Sequence, residues 1–287
     1  FTSGADNLAI GYQSLDTCNT GSQNVAVGVL ALAATDDGTS NTAIGAYCMQ
    51  LGNAGTSNTA VGNQSMIDVT GQHNTAVGMQ SLFDITSGGS NVALGALAMK
   101  DAHAGESHNI AIGVETMRDV DEDTNNADYN IAIGSMALLG GTVGGDFLGN
   151  IAIGYHALDA TGANAQTGTI AIGHESMSSL TAGVENIAIG YQAMLYQTDG
   201  NQNTAVGYKA LRNADNGESV NVAIGKEAGM NINHASSDHN VIIGGDAGTG
   251  GAGVFAYNIA IGSAALNSTG TNTVEGTIAI GHHALTA

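Results

Sequence analysis

The chain contains no proline and no tryptophan, and only 4 % of its 287 residues are aromatic. Those shortages exclude a globular enzyme with a thick core, which is built from large side chains. Basic residues are also scarce, 5 against 25 acidic ones, for a formal charge of −20. Nucleic acid and anionic membrane surfaces are thereby excluded as partners, because phosphate binding needs Lys and Arg. The two cysteines, Cys18 and Cys48, occupy inequivalent places in the pattern described below, so no disulfide framework is expected. No apolar run is long enough to cross a bilayer, so membrane insertion of this segment is not expected, and no signal peptide is visible.

What the chain does have is glycine, 43 residues of it, and a repeat. A pentapeptide Asn-x-Ala-(Ile/Val/Leu)-Gly recurs sixteen times, from Asn7–Gly11 to Thr277–Gly281, at steps of 16 to 21 residues. A unit that short cannot bury a core alone and must stack on its neighbours. The asparagines are Asn7, Asn24, Asn41, Asn58, Asn74, Asn91, Asn109, Asn130, Asn150, Asn186, Asn203, Asn221, Asn240 and Asn258, with Thr169 and Thr277 as exceptions. The alanines are Ala9, Ala26, Ala43, Ala60, Ala76, Ala93, Ala111, Ala132, Ala152, Ala171, Ala188, Ala205, Ala223, Ala260 and Ala279, with Ile242 as the exception.

Alternation with period 2 marks each pentapeptide as a short strand. One face carries Asn, Ala and Gly; the other carries two larger residues, such as Ile131 and Ile133. The larger stripe is expected to stack into a hydrophobic interior. For the small column two readings are open. Either it fits the narrow inside of a thin rod, or it faces identical columns of partner chains around a shared axis. The Asn column is expected to form a structural ladder of side-chain amides along the stack. After each glycine come two variable residues, a small residue and then Leu or Met, read as a second short strand or tight turn whose last residue plugs the interior. That plug fails only at Gly229 and Gly248. Residues from the plug to the next Asn are rich in Gly, Asp, Asn, Ser and Thr and read as turn.

Asn186–Met194 and Asn203–Leu211 show the pattern best, and with it the whole chain resembles the head repeats of trimeric autotransporter adhesins. It is similar also to repeats in tail fibres of phages and contractile injection machines. The resemblance implies an all-β fold, a left-handed parallel β-roll or β-solenoid of about sixteen rungs packed as a homotrimer, with the alanine column as the trimer-facing surface. It implies an extracellular fibre, on a virion or a bacterial surface, that spaces or presents receptor-binding loops. The expected partners are two further copies of the chain and a cell-surface glycan or protein receptor. Residues 1–287 then form one repeat rod, and the start at Phe1 in mid-pattern suggests a segment of a longer fibre chain.

Chemistry is sparse. Asp119, Asp121, Asp123 and Asn125 place oxygen ligands at alternate positions, as at the start of a calcium loop, although Thr124 stands where such a loop needs glycine. A structural calcium or other divalent ion is the one cofactor this suggests, against the reading of a solvated acidic loop. No nucleophile triad, phosphate loop or zinc spacing appears, and an enzyme is not expected. The alternative function is a monomeric β-helical carbohydrate-binding module or depolymerase. Tyr12, Tyr155, Tyr191 and Tyr208 share one repeat position and would form its sugar-stacking stripe, or else stack on one another.

Overall fold

A computed structural model describes residues 4–51, 55–102, 105–120, 127–140, 146–160, 166–267 and 269–286. Among these residues there is no helix, and the chain is a parallel β-solenoid. It divides into two units, Phe1–Leu148 and Gly149–Ala287. Each unit carries eight three-residue strands of the pentapeptide in one parallel sheet. The first runs from Leu8–Ile10 to Ile131–Ile133, the second from Ile151–Ile153 to Ile278–Ile280. Within a unit the register is one repeat to the next with no slip: Ala9 lies beside Ala26, Ala26 beside Ala43, and Ala188 beside Ala205. Longer turns add short parallel pairs, Ala127–Asp128 with Phe147–Leu148 and Phe255–Ala256 with Val274–Glu275.

The larger stripe, expected to fill the interior, lies outward, and of the two readings of the small column the one that places it in the narrow inside is observed. Ala26, Ala43, Ala60, Ala188, Ala205 and their equivalents are wholly buried within their own chain, while the larger residues beside them are half-buried or exposed. The alanine column read as trimer-facing, from Ala9 to Ala279, therefore faces the inside of the coil; only Ala9, on the first strand, is exposed. The reason is width. Across the coil the Leu/Met plugs (Leu32, Met49, Met66, Leu82 and so on) are fully buried and supply the bulk, so the strand opposite must supply almost none.

The post-glycine segment is a turn throughout, with no second strand. Its second and fourth residues have φ near +50°, as at Gln13 and Leu15. A left-handed conformation costs an L-residue roughly 1–2 kcal/mol, and the wound stack repeats it in rung after rung. The pentapeptide glycine is needed for a different reason. At Gly28, with φ +143°, an added Cβ would lie 2.3 Å from the carbonyl oxygen of Gly45 in the next rung. The backbone that the small face admits so closely is the chain's own.

The turns also contribute to the core. Three residues after the plug the chain points inward again, at Cys18, Val69, Ile85, Val120, Leu180 and Ile232, all buried. Polar side chains take the same place at Thr35 and Gln197. With polar and apolar side chains mixed, this position has no apolar periodicity of its own. Cys18 is buried in this way, Cys48 is buried in the small position before a plug, and both are free thiols.

Candidate functional site

The asparagine ladder is the most regular polar feature. Each Asn reaches along the stack to grip the turn leading into the next rung. The Asn24 N–H donates to Asn7 Oδ1 at 2.9 Å, and Asn7 Nδ2 donates to the Gly21 carbonyl at 2.8 Å. The same pair of bonds recurs from Asn24 to Asn41 and Gly38, and from Asn58 to Asn74 and Gly71. Direct amide-to-amide bonds, the expected form of the ladder, occur only as second branches, for example Asn91 Nδ2 to Asn74 Oδ1 at 3.1 Å and Asn240 Nδ2 to Asn221 Oδ1 at 2.8 Å. A buried carboxamide that satisfies one backbone donor and one backbone acceptor explains why Asn and not Ser or Asp holds the position. Thr169 keeps the backbone half of the link, its N–H donating to Asn150 Oδ1 at 3.0 Å, but its own Oγ1 is buried without a hydrogen-bond partner.

With the small column inside, the outward strand face becomes the candidate interaction surface. Two columns of Leu, Ile, Val and Thr flank the buried alanines, and no charged residue falls among them. Ile44, Val77, Ile189 and Ile224 are 38–41 % exposed on this face. Eight strands at ~4.8 Å spacing and three residues of ~3.3 Å give a footprint of roughly 400 Å² in each unit. Parallel sheets are ordinarily covered on both faces.

Beside this face, at the position after the glycine, aromatic rings form a column in the second unit. Tyr155 and His174 lie 5.3 Å apart between centroids, His174 and Tyr191 5.3 Å, and Tyr191 and Tyr208 5.4 Å with only 10° between ring planes. Of the two roles considered for this stripe, ring-on-ring stacking is the one shown by Tyr155, Tyr191 and Tyr208, while Tyr12 is 69 % exposed and stands apart from this column. The histidines before the Asn behave alike: His108 stacks on Tyr129 at 4.9 Å and His239 on Tyr257 at 5.1 Å.

The acidic loop is only partly visible: Asp121, Asp123 and Asn125 lie outside the described residues. Asp119 has both carboxylate oxygens engaged by Arg118, at 2.8 Å from Nε and 2.7 Å from Nη2. That guanidinium holds its carboxyl below the usual range. Among the described residues no group of three or more His, Cys, Asp or Glu side chains is placed to hold a metal ion, and no helix is long and apolar enough to cross a membrane.

Other titratable groups report burial. The Cys48 thiol, its Sγ 3.4 Å from the Ala60 carbonyl, is pushed up to about 12 by desolvation. Glu218 is fully buried, one oxygen accepting from the Asn216 N–H at 3.0 Å and the other unpartnered, and burial raises its pKa. Burial also raises Asp159, although His156 sits against its carboxylate and pulls the other way.

No family model matches this sequence, and no curated protein or solved structure matches it either.

Proposed function

We propose that the chain is a structural and adhesive segment of an extracellular trimeric fibre, either a phage-like tail fibre or a bacterial surface adhesin. In this reading three copies pack their outward strand faces around a common axis, and the turns point away from it as spacers or receptor contacts. The observation that carries the reading is the uncharged aliphatic face on a chain of net charge −20. Charges are placed everywhere else, and a contiguous apolar face of this size on a solenoid marks an interaction site. The partner is another copy of the same face, since in-register columns of Ile, Val and Thr are complementary to themselves. The number three follows the resemblance of the repeat to trimeric adhesin heads.

Covering the remaining 40 % of an Ile or Val side chain is worth about 1 kcal/mol, from the 1.5–3 kcal/mol of full burial. Sixteen flanking positions in a unit thus give a gain on the order of ten kcal/mol, comparable to the cost of association. The test is the absolute mass by light scattering at several concentrations. A stable species of three times 28.5 kDa is expected. Changing Ile189→Lys together with Ile224→Lys should yield a monomer with an unchanged far-ultraviolet circular dichroism spectrum, because both side chains are outward. A wild-type chain that is monomeric at every concentration refutes the proposal.

A further inference from the structure

The turns of the second unit contain a groove unrelated to the strand face. It crosses four successive turns, with a volume of about 340 Å³, and is lined by Tyr196, Asn213, Asp215, Asn231, Asn233 and Gly251. Successive turns are held in register by backbone bonds, Tyr196 N–H to the Arg212 carbonyl, Asn213 N–H to Met230 and Asn231 N–H to Thr249, at 2.9–3.0 Å. The lining therefore steps along the stack at one rung per residue, about 4.8 Å. At the far end, Gly250 and Gly251 let the backbone pack closely against its neighbours. A Cβ at Gly250 would meet Ile232 Cγ2 at 2.5 Å, and one at Gly251 would meet the Gly270 carbonyl at 1.8 Å.

The polar groups in this groove are oriented by one another. Asn213 Nδ2 donates to Asn231 Oδ1 at 2.6 Å, and Asn216 Nδ2 donates to Asn233 Oδ1. Asn213 Oδ1 in turn accepts from Arg212 Nη1 at 3.1 Å. Each of these three amide oxygens already accepts one bond, which fixes the orientation of the amides and leaves the NH₂ groups of Asn231 and Asn233 as donors. Asp215 supplies a carboxylate acceptor. Tyr196, 43 % exposed, supplies an aromatic wall, held by the Arg212 guanidinium 4.7 Å from its ring centroid and by a 3.2 Å bond from Nη2 to its hydroxyl.

We propose that this groove binds a neutral saccharide. Amide donors beside a carboxylate acceptor match vicinal hydroxyls, each of which both donates and accepts. The Arg212 guanidinium takes one face of Tyr196, and the other face offers an apolar surface for the C–H side of a pyranose ring. A cation is disfavoured because Asp215 is the only carboxylate lining the groove and, among the described residues, no group of three or more His, Cys, Asp or Glu side chains is placed to hold one. An anionic ligand is disfavoured by Asp215 and by the charge of the chain. A lipid or other apolar ligand would bury these polar groups without partners. The site is complete within one chain and uses no residue of the strand face, so it stands or falls separately from the trimeric assembly.

The test is isothermal titration and saturation-transfer NMR of the full chain against a panel of neutral oligosaccharides: cello-, malto-, manno- and chito-oligomers. At least one should bind saturably. Asn231→Ala and Asn233→Ala should each weaken that ligand about tenfold, and Tyr196→Ala should abolish the transfer signal. Uronic-acid oligomers should bind more weakly than their neutral counterparts. The proposal is overturned if no panel member binds saturably or if all three variants bind as the wild type does. It is also overturned if calcium alone binds in an Asp215-dependent manner that competes with the sugar. Circular dichroism of each variant confirms that loss of binding is not loss of fold.

Discussion

Three departures from the repeat coincide in space, and their coupling can be measured. Ile242 stands where every other strand has alanine or its equivalent, and Gly229 and Gly248 stand where other turns carry a Leu or Met plug. A Cβ at Gly229 would lie 3.1 Å from Ile242 Cδ1, and one at Gly248 would lie 3.0 Å from Ile242 Cγ2. The isoleucine therefore occupies space that the two missing plugs vacate. Ile242→Ala removes three carbons, a transfer loss of roughly 2.4 kcal/mol at ~0.8 each. The glycines cannot fill the void, and the cavity term brings the total to about 4 kcal/mol. Gly248→Leu in the natural background overpacks against Ile242 and should cost about 2 kcal/mol. The double variant recreates an ordinary rung, since Leu at the plug position with φ near +50° is what Leu32 and Leu82 already do. It should lose only about 1–2 kcal/mol instead of the ~6 of simple additivity, a coupling of roughly −4 kcal/mol. The assay is guanidinium unfolding of all four proteins, followed by circular dichroism under identical conditions. Additive losses, or a double variant no more stable than Ile242→Ala alone, would refute the account of how this coil is filled.

Two further perturbations follow from the polar interior. Thr169→Asn should restore a missing link of the ladder, letting the new Oδ1 and Nδ2 grip the turn at Gly183 and Asn186. A gain of about 1–2 kcal/mol in unfolding stability is expected, and a loss would show that the ladder does not stabilise as described. Glu218 is raised by burial, so the folded chain holds its proton more tightly than the unfolded chain does. Its contribution is present below the ordinary carboxylate pKa and is lost as pH rises toward the raised value. Glu218→Gln should therefore be more stable than the wild type at pH 7, with the difference shrinking as pH falls to 4. Denaturant midpoints across that range check it, and a difference that grows on acidification would reverse the sign.

Much of the architecture was legible because it is written in identities. The recurrence of Asn, Ala and Gly placed every long strand, and the Leu or Met after each glycine named the plugs correctly. Alternation, however, divides a strand into two faces without saying which is inside. The choice made from size, larger residues inward, fails because the inside of a rung this short is filled from the opposite wall. The asparagine carries the answer. A residue with a donor and an acceptor, held in fourteen repeats and surrounded by small residues, is one that must be satisfied by backbone on both sides, which happens only in the interior.

The same inversion decides where function can reside. Once alanine and asparagine are inside, the Ile, Val and Thr columns cease to be core and become surface. Their lack of charge then calls for a partner, where as core it would have called for nothing. The saccharide groove was less legible still. Tyr196, Asn213 and Asn231 each stand six residues after a repeat glycine, and Asp215 and Asn233 each stand eight after one, but a shared offset does not by itself say which side chains meet. Backbone bonds between turns, Asn213 to Met230 and Asn231 to Thr249, bring them into one row. The period that aligns the strands also aligns the start of each turn, and bonds between rungs decide which turn residues share a groove. A site made of turn residues therefore becomes visible only when the rungs are stacked.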